Sequence, residues 1–272
     1  MICNIRDIPI YYEEYGTGKP VLCIHGHSVD HRLMTGCLEP VFNEKQGYRR
    51  IYPDLPGMGK TPSKTWIRNP YDMLDILKEF IDAVIPNESF LIAGESYGGG
   101  LTLGLILIMG HRIDGVLLIC SSLPKGALPA RKVILKSEVI ESQKSDPDIE
   151  TFLDIAVLAT PEIYEKFKND VLPGLKAADQ EFLTNHYDAE YNPDFENKLK
   201  SVSFDKPACI LAGRQDHCVS YAGMYELLDH FPRATFAVLD CAGHNIQIDN
   251  ELLFNKLVKD WIWRVELSQA AP

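Results

Sequence analysis

Ser96 stands in the run Gly94-Glu95-Ser96-Tyr97-Gly98. In a G-x-S-x-G pattern set between a strand and a helix, the serine is forced onto a strained turn and its hydroxyl is held above the carboxyl edge of a sheet. The flanks meet that condition. Residues 90–93 are an unbroken apolar run fit for a buried strand, and residues 101–108 repeat large aliphatics densely enough for a core helix. Gly94 and Gly98 flank a reversal too tight for a Cβ, and Gly99 and Gly100 let the helix lie close to the sheet. At the helix start the backbone N–H of Tyr97 and the positive end of the helix dipole favour an oxyanion forming beside Ser96.

Two later loops offer an acid and a base. Residues 210–212 lead into Gly213-Arg214-Gln215-Asp216, and residues 238–240 lead into Cys241-Ala242-Gly243-His244. If the strands before them are parallel to the one before Ser96, all three loops share the sheet edge where open α/β sheets place ligands. A serine hydroxyl is a poor nucleophile near pH 7 unless a base takes its proton. His244, with an ordinary imidazole pKa near ~6.5, can take it and return it to a leaving group. Asp216 would hold the imidazole tautomer and stabilise the imidazolium. Such chemistry is acyl transfer to water, rising with pH through the neutral range and needing no cofactor or metal.

The elements that must position these residues alternate between strand and helix. Residues 1–15 alternate as an opening antiparallel hairpin does, 16–20 turn, and residues 21–24 begin the buried sheet, ending in the polar loop His25-Gly26-His27-Ser28. Helical spacing follows over 31–45, a strand over 50–53 and a clear 3.6-residue stripe over 71–85; the next buried strand is 116–120. Gly59-Lys60-Thr61 ends like a phosphate-binding loop, but position 54 is Asp where a glycine is needed, so nucleotide binding is set aside. From 122 to 205 the pattern changes to amphipathic helical segments near 131–143, 149–158, 161–183 and 194–200, interrupted by prolines. Strand and helix alternation resumes at 208–212, 221–231, 235–239 and 251–266. The expected organisation is a core of residues 1–121 and 206–272 with a helical lid at 122–205.

Composition limits the partners. The 272 residues are 46% hydrophobic, enough for one large core plus an insertion. With 27 Lys+Arg against 38 Asp+Glu the formal charge is −11, which repels phosphate backbones and anionic lipid headgroups. Nucleic acid and membrane are therefore not expected as partners; a small-molecule substrate is. The longest apolar run, 101–109, is about half the ~20 residues of a membrane span, and no export signal opens the chain. Seven scattered cysteines without a C-x-x-C pair point to reduced thiols in a cytoplasm rather than to disulfides or a zinc site.

Taken together, His25-Gly26, Asp54-x-Pro56-Gly57-x-Gly59, Gly94-x-Ser96-x-Gly98-Gly99, Gly213-Arg214-x-Asp216 and Gly243-His244 stand in the order that resembles the α/β-hydrolase superfamily over nearly the whole chain. The resemblance implies a mostly parallel eight-stranded α/β sheet flanked by helices, a helical cap inserted after strand six, and a triad of Ser96, Asp216 and His244. It also implies an oxyanion hole made by the N–H groups of Tyr97 and His27. The branch it resembles most is that of cap-bearing esterases and proline iminopeptidases. Asp216 is preferred over the rival acids Asp54 and Asp240 because it stands in the family-like G-R-x-D context. His25 and Glu95 are read as hydrogen-bonding partners, and His217 and Cys218 as neighbours of the acid without chemistry. Serine at the elbow argues against the superfamily's dehalogenases and epoxide hydrolases, which use aspartate there. Ester hydrolysis is the expected reaction. An aminopeptidase anchoring a substrate amine on Glu138, Glu141, Asp154, Glu162 or Glu165, a carbon–carbon bond hydrolase and a non-catalytic receptor are the other readings.

Overall fold

The computed structural model describes residues 1–122, 129–138, 141–187, 198 and 203–270. Strands β1 (Ile2–Ile5) and β2 (Ile8–Gly16) form the expected antiparallel hairpin. Next come β3 (Lys19–Ile24), β4 (Tyr48–Pro53), β5 (Phe90–Glu95) and β6 (Ile113–Ile119). Two-residue strands β7 (Lys136–Ser137) and β8 (Leu158–Ala159) pair with each other, and β9 (Ala208–Gly213) and β10 (Ala234–Leu239) complete the main sheet. That sheet has eight strands in the order β1-β2-β4-β3-β5-β6-β9-β10. β2 runs antiparallel to both its neighbours, and every other pair is parallel.

Both faces of the sheet are covered, which is why its central strands read as continuous apolar runs rather than as alternation. Leu22, Ile24 and Ile92 face helices α2 (Pro70–Val84) and α3 (Tyr97–Met109). Val21, Cys23, Leu91 and Ala93 face α1 (His31–Phe42) and the last helix, Glu251–Ala270, which buries Phe254, Val258 and Trp261. The helices start where their caps allow. The Asp30 carboxylate accepts from Arg32 N–H, and Asn69 accepts from the N–H groups of Tyr71 and Asp72 ahead of Pro70.

The insertion between β6 and β9 departs from its expected outline. Residues 131–135 are irregular and Lys136–Ser137 form a short strand rather than a helix, because Leu135 N–H bonds Val157 O and Glu138 N–H bonds Ala159 O, giving residues 135–138 strand-like partners. The 161–183 stripe is broken into helices Pro161–Asp170, Leu172–Ala177 and Gln180–Tyr187. Pro173 starts the second of these, and Ala178 is extended between the second and third. The segment expected at 194–200 lies outside the described residues, apart from Lys198. Phe152, Tyr164, Phe167, Val171 and Leu172 of the insertion share an apolar cluster with Val29 and Leu33, so the insertion packs over the loop after β3. Among the described residues no helix is long and apolar enough to cross a membrane.

Candidate active site

β5 ends at Glu95 and α3 begins at Tyr97, leaving Ser96 alone between them at φ 48°, ψ −114°. A serine in that region is strained, and such strain persists only where surrounding contacts enforce it. Here Ser96 N–H bonds Ile119 O at 2.9 Å, while Ser96 O accepts from Gly100 N–H at 3.1 Å and from Ser122 N–H at 2.9 Å. The helix start fits only because Gly98 has no side chain: a Cβ there would lie 2.5 Å from His25 O.

β9 and β10 are parallel to each other, and β9 to β6, so the loops after them open at the same edge as Ser96. His244 Nε2 lies 2.9 Å from Ser96 Oγ, and its Nδ1 lies 2.9 Å from Asp216 Oδ2. Asp216 is buried, and its Oδ1 accepts the N–H groups of Cys218 at 2.8 Å and Val219 at 2.9 Å. Burial pushes the Asp216 carboxyl up, but the facing imidazole and these two N–H groups outweigh it and hold it below the usual carboxylate range. Burial pushes His244 down, but Asp216 and then Glu95 raise it to about 9. The base therefore titrates above the neutral range that an ordinary imidazole predicts. Arg214 N–H bonds Leu239 O, and Gln215 N–H bonds Ala242 O at 2.9 Å, tying the acid loop to the base loop.

The rival acids have other partners. Asp54 Oδ1 accepts from His31 N–H at 2.9 Å and faces His31 Nδ1 at 2.8 Å, while Oδ2 accepts Lys60 N–H at 2.8 Å. Asp240 is exposed, with Gln215 Nε2 donating to it at 3.3 Å. His25 is a loop organiser: Nε2 accepts Leu55 N–H at 3.0 Å and Nδ1 sits 2.7 Å from Gly26 O, a neutral tautomer that its burial favours. The Asp30, His31 and Asp54 side chains, and those of Cys120, Asp216 and His244, cluster closely enough to be weighed as metal ligands. In both clusters the hydrogen bonds above already engage an imidazole with a carboxylate.

Above Ser96 opens a cavity of about 280 Å³. His27, Ser96, His244 and Asn245 form its polar floor; Val29 and Leu33 of the core and Ile155, Phe167, Val171 and Leu175 of the insertion form an apolar wall. Glu95, Thr151, Asp154 and His217 complete the lining. A cavity of about 350 Å³ lined by Ser63, Arg68, Asp179 and Phe182 touches none of these residues. Sequence reasoning did not identify the apolar wall, because a helical stripe shows that a face is buried but not against what. Nor did it foresee that Glu95 Oε1 lies 3.5 Å from His244 Nε2.

A mostly parallel sheet whose carboxyl-edge loops converge on a strained serine, an imidazole and a carboxylate defines an α/β protein of the hydrolase type. The chain belongs to the alpha/beta hydrolase family, matched over residues 21–256, and is a hydrolase. It is 28% identical to an alpha/beta superfamily hydrolase from Oenococcus oeni PSU-1, whose crystal structure superposes with a TM-score of 0.88 over 94% of this chain and 96% of that one. It is also 25% identical to a proline iminopeptidase of Lactobacillus delbrueckii subsp. lactis, over 89% of this chain and 90% of the relative. With a 2-hydroxy-6-oxononadienedioate/2-hydroxy-6-oxononatrienedioate hydrolase of Pseudomonas putida the identity is 23%, over 94% and 92%.

Proposed function

We propose that the protein is a serine hydrolase cleaving a carboxylic ester of a small molecule through an acyl-enzyme. The observation that carries this reading is the unbroken chain from Ser96 Oγ through His244 to Asp216, with both links at 2.9 Å. Ser96 Oγ attacks the ester carbonyl while its proton passes to His244 Nε2. The carbonyl π electrons move onto oxygen, where the Tyr97 and His27 N–H groups stabilise the charge. Collapse breaks the bond to the alkoxide, which takes the proton from His244. Water then repeats the sequence on the acyl-enzyme, releasing acid and free Ser96.

Residues 122–205 act as the cap, and Val29, Leu33, Phe167, Val171 and Leu175 give it an apolar lining suited to a hydrocarbon acyl group. Of the carboxylates weighed as amine anchors, Asp154 lines the cavity but is largely exposed and paired with a lysine, and Glu138, Glu162 and Glu165 are not among the lining residues. Glu138 pairs with Lys136 at 2.8 Å, Asp154 with Lys132 at 3.0 Å, and Glu165 with Lys168. Glu162 is exposed, bonded to Thr160 and to its own backbone, and the Glu141 side chain lies outside the described residues. Ester cleavage therefore ranks above aminopeptidase action. The seven thiols, all free of disulfides, suit a reducing cytoplasm.

A fluorophosphonate should add one mass label to the intact protein and none to Ser96→Ala. Nitrophenyl esters of increasing acyl length, run beside proline and alanine arylamides, should be turned over in preference to the amides. An unlabelled parent, or an active Ser96→Ala, would overturn the serine mechanism.

A further inference from the structure

Glu95 is buried at the end of β5, and the triad chemistry above gives it no role. Its Oε1 lies 3.5 Å from His244 Nε2, the nitrogen that also faces Ser96 Oγ. On the other side Glu95 accepts the N–H of Gly26, the residue before His27. The fit is close, since a Cβ on Gly26 would fall onto Glu95 Oε2. One carboxylate thus touches both the loop that carries His27 and the proton-carrying nitrogen. We propose that Glu95 is a positioning residue of the site, docking the Gly26-His27 loop against the Ser96 turn and, by its charge beside His244 Nε2, setting the pH at which His244 becomes a base.

The proposal deepens the serine-hydrolase reading and rests on it for its effect on turnover. Burial pushes Glu95 up to about 7, so it gains its charge within the working range of an esterase. Asp216 faces the opposite side of the imidazole at 2.9 Å. The loop after β9 brings His217, held low by burial, and Cys218, pushed up to about 12. Cys120 at the end of β6 is raised by burial, and the insertion contributes Asp154 to the cavity. Behind the His244 loop, Asp249 accepts Gly243 N–H at 2.8 Å and is pushed up to about 7. Asp249 thus titrates alongside Glu95 and is the group to control for.

The test compares Glu95→Gln, Glu95→Ala and Asp249→Asn with the parent. It uses the pH profile of fluorophosphonate labelling and of kcat/KM, and the titration of the His244 ring by NMR. Removing an opposite charge at this range should move the His244 pKa, and the acid limb with it, down by about 1–3 units in both Glu95 variants. Asp249→Asn should move it much less. The glutamine amide can still accept Gly26 N–H, so its plateau rate should fall well short of the roughly 10²-fold loss expected when alanine frees the loop. A His244 titration unmoved in a folded Glu95→Gln protein overturns the electrostatic role. Equal plateau losses in Gln and Ala overturn the docking role. Absence of labelling in the parent would instead sink the serine mechanism, while the NMR titration would still decide whether Glu95 governs His244.

Discussion

Asp216 divides its two oxygens: Oδ1 takes the N–H groups of Cys218 and Val219, and Oδ2 faces His244 Nδ1. That division makes Asp216→Asn informative. If the amide oxygen keeps the two backbone donors, the NH₂ group must face Nδ1. The ring proton is then driven to Nε2, the nitrogen that should accept from Ser96. Turnover should fall on the order of 10⁴-fold with the melting temperature little changed. An undiminished rate would return the acid role to Asp240 or Asp54, although the latter already holds His31 and Lys60 N–H. The sign of the pH dependence follows from the same geometry. His244 must be uncharged to act, and Asp216 and Glu95 raise it to about 9, so the parent's rate on a neutral ester should climb on the alkaline side of neutrality. Ser96, Asp216 and His244, which residue type and loop context single out in the sequence, are brought into one chain of contacts by the fold. Nothing in the sequence signals that Glu95 adds a second charge, since the 3.5 Å approach depends on how β5 and the β10 loop are spaced.

At the scale of elements, the crossing of α3 over the end of β3 depends on one missing methyl group. A Cβ on Gly98 would lie 2.5 Å from His25 O, a backbone atom that cannot swing aside. Gly98→Ala should therefore cost about 1–3 kcal/mol, read as a lower melting temperature, and should slow fluorophosphonate labelling because the turn and the loop before His27 are forced apart. Gly110→Ala is the internal control. Its Cβ would meet Ile106 at an ordinary 3.6 Å, and φ there is −54°, so the change should be neutral or stabilising by about 0.4–1 kcal/mol. Equal stability in the two variants would show that the close crossing is not required. The glycine run made this crossing legible, and the apolar runs at 90–93 and 116–120 made the central strands legible. The irregular stretch at 131–135 is not legible in the sequence because the backbone partners that hold it and the short strand after it, Val157 O for Leu135 N–H and Ala159 O for Glu138 N–H, come from a segment more than twenty residues away. The break at Ala178 was likewise invisible in a stripe whose apolar spacing continues on both sides.

At the scale of the whole molecule, the core supplies the reacting groups and the proposed cap supplies the fit. Phe152 packs on Tyr164 and on Phe167, the latter pair with ring centres 5.4 Å apart, and Phe167 also faces the cavity, whose wall is completed by aliphatic side chains at the edges of the cap helices. Leu175 is such an edge: half-buried, packed beside the cap's apolar cluster and lining the space above Ser96. Shortening it should enlarge the cavity without opening the cap, whereas truncating Phe167 would empty the cap's own core as well. Each methylene moved from water into such a wall contributes about 0.8 kcal/mol, or roughly fourfold in kcat/KM. Leu175→Ala should therefore shift the preferred acyl chain to longer esters, and Leu175→Phe to shorter ones, with selectivity between neighbouring chain lengths of no more than that order. Because Leu175 is uncharged and both replacements are too, the acid limb of the pH profile should coincide with the parent's in both variants. Opposite shifts in chain length on a common pH profile would identify this wall as the acyl site. Unchanged chain-length preference in both variants would move the acyl group out of this cavity and require the cap residues to line the path of the leaving alcohol instead.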